Sequence, residues 1–288
     1  MSEPVLVESG VDRGLVWHYG DPLREQRYLD EGTGIVDLSN RYVVRVSGAD
    51  WRALDRLSDP GEPSHLGSSM TFTDDDGYIV ARMAWAEQEG QLWGWTEMGY
   101  GRALVARLRA ADLGHGARVT VRPDVAVVWC DSALPGAAAR WGAPDCLGGH
   151  ELFVARPYLA KVLSVLSPAG LWAYTAWRIA AGIVRIGVDT DDRTRPEELV
   201  GHRLGHRDGS DVPPSQARKL VRYHLDGSEE RFVQPGTRVT LAGTDIGFIG
   251  SSAYHFELGP IGLGLIAADI PDNAVVMIDG IPASVEIL

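Results

Sequence analysis

Apolar residues alternate with polar residues along much of the first two-thirds of the chain. β-branched or aromatic side chains at alternate positions are typical of strands, because successive strand side chains point to opposite faces. Val125–Cys130 is apolar throughout and is also predicted as a strand. The predicted strand segments are Gly34–Ser47, Met70–Thr73, Tyr78–Trp85, Gln91–Thr96, Val119–Val121, Val125–Cys130 and Glu151–Val154.

Helical spacing and helix-end signals predict the other elements of this part. Asp21 followed by Pro22 is typical of a helix start, with a capping carboxylate and a proline at the first helical position. Glycine or Ser-Pro after an apolar repeat marks a helix end. The predicted helices are Pro22–Gly32, Trp51–Leu57, Gly101–Leu113, Pro157–Leu166 and Leu171–Gly182.

The acidic run Asp74-Asp75-Asp76-Gly77 lies between two predicted strands. Asp-Gly between apolar segments is a hairpin signal, because glycine adopts the positive φ that tight hairpin turns require. A calcium loop is the alternative interpretation of three aspartates, but the spaced ligands and closing glutamate of an EF-hand loop are missing. The hairpin interpretation is therefore preferred.

The composition and the periodicity of the sequence change after Asp191. Arg193–Ser215 is rich in Gly, Pro, His, Arg and Asp and has little periodicity, which predicts a long loop. Short apolar strands then alternate with glycine turns, as in a small β-barrel or sandwich. These strands are Leu220–Leu225, Arg238–Leu241, Ile246–Tyr254, Ile261–Ile270 and Val275–Ile278. We expect two domains, 1–218 with an α+β body and 219–288 with antiparallel strands.

The predicted helix at Leu171–Gly182 combines core-building aromatic residues with one arginine, Arg178. A buried guanidinium needs a partner, because burying an unpaired charge is costly. One interpretation is a structural arginine paired with a carboxylate. The other is a guanidinium that faces an anionic ligand, with Trp172, Tyr174 or Trp177 offering a flat face beside it.

Composition and charge restrict the partners of the protein. The 288 residues carry a formal net charge of -12, with 45% hydrophobic and 23% charged residues, as in an ordinary globular protein. Broad contact with nucleic acid or an anionic membrane needs a basic face, so neither partner is expected. A local basic stretch runs from Arg193 to Arg222, but a solvated loop explains it equally well.

Cysteine content and the first residues indicate a cytoplasmic protein. Cys130 and Cys146 are too few for a disulfide framework, so reduced thiols are expected, with Cys130 buried at the end of an apolar strand. The first residues lack the basic and apolar regions of a signal peptide. No apolar run approaches the roughly 20 residues that a membrane span requires.

Common catalytic and metal-binding motifs are missing from the sequence. A Walker A lysine, a Gly-x-Ser-x-Gly elbow and paired Cys-x-x-Cys motifs are not present. His202 and His206 have i, i+4 spacing, but the glutamate of a zinc protease motif is missing and Gly201 and Gly205 weaken the helix that this spacing requires. We therefore expect no metal site, and a role for either histidine as an acid or base stays open.

Several stretches in the same order along the chain resemble the glycine-cleavage T-protein and the folate-binding YgfZ proteins. The amino-terminal stretches that carry the resemblance are Val16-Trp17-His18-Tyr19-Gly20-Asp21-Pro22-Leu23-Arg24-Glu25-Gln26-Arg27 and Gly34-Ile35-Val36-Asp37-Leu38-Ser39 with Val44-Arg45-Val46-Ser47-Gly48. The central ones are Trp172-Ala173-Tyr174 with Arg178, and Arg185-Ile186-Gly187-Val188-Asp189-Thr190-Asp191-Asp192-Arg193-Thr194. The carboxy-terminal ones are Leu225-Asp226-Gly227-Ser228, Ile246-Gly247-Phe248-Ile249-Gly250 and Leu258-Gly259-Pro260-Ile261-Gly262-Leu263.

The resemblance implies a ring-like α+β body with a C-terminal antiparallel β-barrel and a central pocket for tetrahydrofolate. Glu151 lies where a carboxylate of the family holds the pterin edge, and a carboxylate can accept two hydrogen bonds from the amino-pyrimidine. Arg178 matches the helix arginine near the folate. The aromatic residues expected to pack against the ligand, each of which could instead belong to the core, are Tyr78, Trp85, Trp172 and Tyr174.

Two departures from the family pattern affect the expected chemistry. The aspartate that the aminomethyl-transferring enzymes place near the folate nitrogens falls on or beside Ala81, where the sequence reads Ile79-Val80-Ala81-Arg82-Met83. The Lys-Gly-Cys-Tyr-x-Gly-Gln-Glu motif of the YgfZ branch is replaced by a stretch between Pro196 and Pro214 without cysteine. Thiolate chemistry cannot proceed at that place without sulfur.

Two functions follow from the resemblance and its departures. The first is a divergent member that uses a folate-sized central pocket for small-molecule chemistry, either one-carbon transfer or a rearrangement or cyclisation in specialised metabolism. The second is a non-enzymatic folate-binding factor that supports iron-sulfur protein assembly through a protein partner. The missing cysteine argues against the second function, and fold alone proves neither of them.

Overall fold

A computed structural model describes residues 3–49, 53, 69–132, 134, 137, 139–141, 147–199, 217–228 and 232–288. The chain packs as two compact units, Met1–Tyr174 and Thr175–Leu288. Arg218, beside the predicted domain boundary, is the first residue of a strand in the second unit. The division into 1–218 and 219–288 stays a prediction.

The first unit is an α+β structure with strands β1 to β12. Its helices are α1 (Pro22–Asp30), α2 (Gly101–Ala110), α3 (Leu159–Leu163) and the beginning of α4 (Leu171–Ala180). Its strands are β1 Val5–Leu6, β2 Val16–His18, β3 Gly34–Asp37, β4 Tyr42–Ser47, β5 Ser69–Thr73, β6 Ile79–Gln88, β7 Gln91–Thr96, β8 Arg118–Val121, β9 Val125–Cys130, β10 Ala139–Trp141, β11 His150–Ala155 and β12 Ser167–Ala169.

Two five-stranded sheets build the first unit. The first sheet has the order β10-β11-β9-β3-β12 and the second the order β5-β6-β7-β4-β8. All neighbours are antiparallel except β12 and β3, which run parallel. The segment Gly34–Ser47, predicted as strand throughout, supplies β3 to the first sheet and β4 to the second. A single stretch of sequence therefore ties the two sheets together.

Each sheet has one face covered by a helix of the same unit. On the second sheet, Phe72, Met83 and Trp85 pack with Leu104 and Leu108 of α2. On the first sheet, buried residues such as Ile35 and Val128 pack against Leu159, Val162 and Leu163 of α3. The opposite faces of the two sheets contact each other, since Trp93 on β7 lies 6.0 Å from Phe153 on β11 between ring centroids.

The second unit is dominated by a closed antiparallel barrel of order β13-β16-β15-β14-β17-β18. Its interior is apolar and includes Val221, Ile249 and Val276. The strands are β13 Arg218–Leu225, β14 Thr237–Leu241, β15 Thr244–His255, β16 Gly259–Ala267, β17 Val275–Ile278 and β18 Ile281–Ile287, and the short helix α5 is Pro196–Leu199. The predicted α+β class with a C-terminal antiparallel barrel is confirmed.

Four of the helix predictions are confirmed in place but some are too long, whereas Trp51–Leu57, apart from Ala53, lies outside the described residues. Asp21 caps α1 by accepting a hydrogen bond from the Arg24 backbone N–H, and the helix ends at Asp30. The predicted helix Pro157–Leu166 is shorter, since a 3-10 turn occupies Arg156–Tyr158 before it and α3 ends at Leu163, four residues before β12 begins at Ser167. Every helix in the described part of the chain is too short or too polar to span a bilayer.

Tyr223 places a hydroxyl group in the barrel interior. Its side chain is fully buried, and within the described residues the hydroxyl has no hydrogen-bond partner. Burial raises the pKa of Tyr223 far above its ordinary value, so the phenol is neutral. An unpaired buried hydroxyl destabilises the folded state because it loses its bonds to water.

We therefore expect Tyr223→Phe to raise the free energy of unfolding by about 1 kcal/mol. Urea unfolding of the full chain would measure this change. Tyr158→Phe is a suitable control, because Tyr158 is exposed and its hydroxyl can reach water. A clear loss of stability in Tyr223→Phe would show that the hydroxyl has a bonding partner in the barrel, and would contradict the prediction.

Candidate functional site

Glu151 is a buried carboxylate between the two sheets of the first unit. It lies on β11, pairs with Trp129 of β9 and has only 1% of its surface exposed. Its carboxylate accepts a short hydrogen bond from the indole N–H of Trp95, which lies on β7 of the other sheet. A charged group at this place needs hydrogen bonds to offset its lost hydration, and Trp95 supplies one of them.

An arginine holds the indole that donates to Glu151. The Arg41 guanidinium lies 4.8 Å from the Trp95 ring centroid. Arg41 also forms a buried ion pair with Glu97, with 2.6 Å between Nη1 and Oε2. Trp95 is therefore held between a cation on its ring and a carboxylate on its N–H.

The predicted aromatic residues occupy different places. Tyr174 is buried and lies 6.2 Å from Trp129, the strand partner of Glu151, so the structure brings it to the Glu151 region. Trp172 is half-buried and contacts Trp17 and His18 of the N-terminal segment, with ring centroids 5.7 and 5.8 Å away. Ligand contacts by either residue stay predictions.

Trp85 and Tyr78 are not placed beside Glu151. Trp85 pairs with Gly94, so it points to the opposite face of the second sheet from Trp95, where it is fully buried in the core under α2. Tyr78 is half-buried in the hairpin turn, where its backbone N–H donates to the Asp74 carboxylate. These positions favour structural roles, and the predicted ligand contacts of both residues remain untested.

Arg178 lies in the second unit and makes several protein contacts there. Its Nη1 is 2.6 Å from both the Asp189 carboxylate and the Ile183 carbonyl oxygen, and its Nη2 donates to the Ser251 hydroxyl. Asp189 also accepts a hydrogen bond from the Arg185 backbone N–H. These contacts favour the interpretation of Arg178 as a structural arginine. Its predicted role near folate stays a prediction.

A second arginine joins the segment after α4 to the barrel. Arg218 on β13 forms ion pairs with Asp191 and Glu198, at 2.7 and 2.8 Å. Burial alone would raise the pKa of Asp191, but the hydrogen bonds from Arg218 and Thr194 outweigh it and lower that pKa to about 2. Asp191 is therefore ionised at neutral pH and fixes this segment on the barrel.

The position expected for a catalytic aspartate is apolar. Ala81 is 1% exposed and packs in the core under α2. Its neighbour Arg82 points to the other face of the sheet and donates two hydrogen bonds to the Ser69 hydroxyl. Neither residue offers the carboxylate that the aminomethyl-transferring enzymes use there, so the missing aspartate is not replaced at this place in the strand.

Cysteine and histidine residues offer little chemistry in the described part of the chain. Cys130 is buried, as predicted, and burial raises the pKa of its thiol to about 11, so it is not a nucleophile at neutral pH. Burial and the nearby Arg140 lower the pKa of His150. Cys146, His202 and His206 lie outside the described residues. Among those described, no group of three metal-binding side chains occurs.

The residues around Glu151 were only partly identified from the sequence. Trp93 and Trp95 are expected on one face of a strand by their spacing, but nothing local links them to Glu151. Trp95 lies 56 positions from Glu151, and Arg41 lies 56 positions from Glu97. The signal available in the sequence was the pair of tryptophans on the strand that forms β7. This strand neighbours β4, which carries Arg45.

Comparisons with known proteins support the fold. No protein-family model matches the sequence, and no curated protein matches it. Among solved structures, the chain is similar to the glycine cleavage system aminomethyltransferase T from Bartonella henselae, with a TM-score of 0.70. The identity is 15%, over 97% of this chain and 92% of that chain. The predicted T-protein likeness is confirmed as a likeness of fold, whereas a relation to the YgfZ branch stays a prediction.

Proposed function

We propose that this chain is a divergent aminomethyltransferase-like protein that binds tetrahydrofolate, or a related amino-pyrimidine, through Glu151. The observation that supports this most is a buried, hydrogen-bonded carboxylate on β11 in a chain with the T-protein fold. Burying a carboxylate is costly, and Glu151 is hydrogen-bonded to an indole and not to an arginine in the contacts described above. Of the predicted aromatic residues, Tyr174 is the best placed to contact the ligand.

The chemistry of Glu151 suits the edge of a pterin. An ionised carboxylate has two oxygens, each with two acceptor sites, so it can accept hydrogen bonds from the amino group and the ring N–H of a pterin. The hydrogen bonds would be charge-assisted and strengthened by burial. Because Glu151 is 1% exposed, the side chains around it have to move before a ligand reaches it.

The same residues do not support aminomethyl transfer. When bound, tetrahydrofolate supplies ring nitrogens that carry a one-carbon unit. Glu151 would hold and orient the pterin, but no carboxylate is found at Ala81 or its neighbour Arg82 to act at those nitrogens. We therefore propose that the protein binds the pterin and that its chemistry is other than the transfer of an aminomethyl group.

Titration of the full chain with tetrahydrofolate, followed by tryptophan fluorescence, tests the proposal. We expect saturable binding by the natural protein. We expect Glu151→Gln to weaken it by about tenfold or more, because a hydrogen-bonded charge contributes about 1.5–3 kcal/mol. The glutamine amide oxygen can still accept the Trp95 N–H, so the fold should be kept. Glu87→Gln, at an exposed position on β6, is the matched control.

The outcomes of this titration separate the alternatives. An unchanged affinity in Glu151→Gln, or no binding by the natural protein, would overturn the proposal. Binding without any turnover of the folate would favour the non-enzymatic folate-binding factor. Mass spectrometry of small molecules that co-purify with the protein would identify a changed ligand, and a co-purified compound lost in Glu151→Gln would keep Glu151 as its site.

A further inference from the structure

Arg45 is a half-buried arginine on β4 that forms no ion pair with any residue that the structure describes. The Arg45 guanidinium carbon lies 5.7 Å from the ring centroid of Trp93, its neighbour on β7. The Nε atom of Arg45 is buried and makes no hydrogen bond. Within the described ranges, the structure gives Arg45 no ion pair at all. Its charge is therefore held in place by an indole ring, with no direct pairing among these residues.

A second arginine lies over the same ring. The Arg122 guanidinium is 4.9 Å from the Trp93 ring centroid. It also pairs with Asp124, with 2.9 Å from Nε to Oδ1 and 2.6 Å from Nη2 to Oδ2. The hydrogen bond from Arg122 and the charge of the nearby Arg45 lower the pKa of Asp124 to about 2. Arg45, Arg122 and Asp124 therefore lie within electrostatic reach of each other.

A third arginine contacts the turn between β8 and β9, which contains Asp124. Arg156, exposed at the end of β11, donates through Nε to the Pro123 carbonyl and through Nη2 to the Ser39 carbonyl, both at 2.7 Å. Carbonyl groups orient a guanidinium but do not neutralise its positive charge. These three residues, Arg45, Arg122 and Arg156, form the arginine cluster. Among the residues described, Asp124 is the one carboxylate paired with it, in a protein whose net charge is -12.

We propose that the arginine cluster binds an oxyanion, either a phosphate or a carboxylate group of a small-molecule ligand, with Arg45 as the main contact. Guanidinium groups match the planar, bidentate geometry of both oxyanions. Trp93 fixes two of the arginines before binding, so little side-chain freedom is lost when an anion arrives. Trp93 itself is 6% exposed, so the arginines, and not its ring, meet the ligand. This site does not depend on the proposed folate function.

Calorimetric titration of the full chain with inorganic phosphate, at constant ionic strength set with chloride, tests this proposal. We expect saturable binding, and we expect Arg45→Met to weaken it by about tenfold. Methionine keeps an apolar side chain over Trp93, so the packing changes little. Arg102→Met is the matched control, because Arg102 is an exposed arginine on α2 in the same unit. Equal losses of phosphate affinity in both variants would show that binding depends on the overall charge of the protein and not on this cluster, and would overturn the proposal.

A second variant tests the site without removing any arginine. Asp124 competes with a ligand for Arg122, so Asp124→Asn is expected to strengthen phosphate binding by about fivefold. Asp124 is exposed, so this variant should keep the fold. The same titration with glutarate in place of phosphate shows whether the site prefers a carboxylate or a phosphate group. Saturable binding of either anion, tighter in Asp124→Asn, supports the proposal. No binding of either anion, or weaker binding in Asp124→Asn, would overturn it.

Discussion

Replacing Asp189 with alanine is expected to lower the free energy of unfolding by about 3 to 5 kcal/mol. The Arg178 and Asp189 side chains are 5% and 0% exposed and lie 2.6 Å apart, so the variant leaves a guanidinium charge buried without its partner. Ser251 and the Ile183 carbonyl still accept hydrogen bonds from Arg178, but neither carries a charge. Urea unfolding of the full chain, followed by circular dichroism, would measure the loss.

The neighbouring acid gives a control for this prediction. Asp192 is exposed on the same segment, so Asp192→Ala should change the free energy of unfolding by less than about 0.5 kcal/mol. The double variant Arg178→Met with Asp189→Leu should lose less free energy of unfolding than Asp189→Ala does, because it removes both buried charges together. If Asp189→Ala were as stable as the natural protein, the ion pair would not hold this unit together.

Gly250→Ala is expected to destabilise the protein by about 3 kcal/mol, through overpacking and not through loss of charge. A Cβ atom at Gly250 would lie 2.3 Å from the Asp189 Cα and 2.5 Å from the Val188 carbonyl oxygen. Both neighbours are backbone atoms, so rotation of a side chain cannot relieve the clash. The strand β15 and the segment that carries Asp189 would have to separate, and the melting temperature should fall accordingly.

A second glycine of the same unit serves as control for this substitution. A Cβ atom at Gly227 would lie 3.6 Å from Pro260, which is an ordinary van der Waals distance. Gly227→Ala should therefore leave the melting temperature nearly unchanged. Equal stability of Gly250→Ala and Gly227→Ala would contradict the close approach of β15 to the Asp189 segment.

Elements with strong local signals could be predicted from the sequence. Asp21 and Pro22 begin α1 as expected, because the cap and the proline act within one turn. The Asp74 carboxylate closes the predicted hairpin by accepting hydrogen bonds from the backbone N–H groups of Asp76 and Tyr78. In both cases the residues that specify the element lie inside it.

Other elements depend on distant pairing and were missed. The strand β18 contains Pro282, which lacks a backbone N–H and lowers any strand prediction, yet pairing with β13 and β17 places it in the barrel. The sequence gives no signal for the bend between β3 and β4, because β-branched residues occur on both sides of it. Which sheet receives each half is decided by β9 and β7, far along the chain.

The candidate site shows the same limit. Glu151 could be named from the sequence because a resemblance points to its position. Its donor Trp95 could not, since that hydrogen bond joins two sheets. Arg41 and the arginine cluster could not either, since their contacts with tryptophan rings depend on the position of β7, far along the chain. Trp85 was a plausible ligand contact by residue type, but strand alternation turns it to the face opposite Trp95.

The closed barrel has a consequence for how its strands assemble. The strand β18 lies between β13 and β17 and pairs with both of them. Without β18 the other five strands would form an open array, with unpaired amide and carbonyl groups along β13 and β17. Docking of the seven residues Ile281–Ile287 therefore removes both exposed edges in one step.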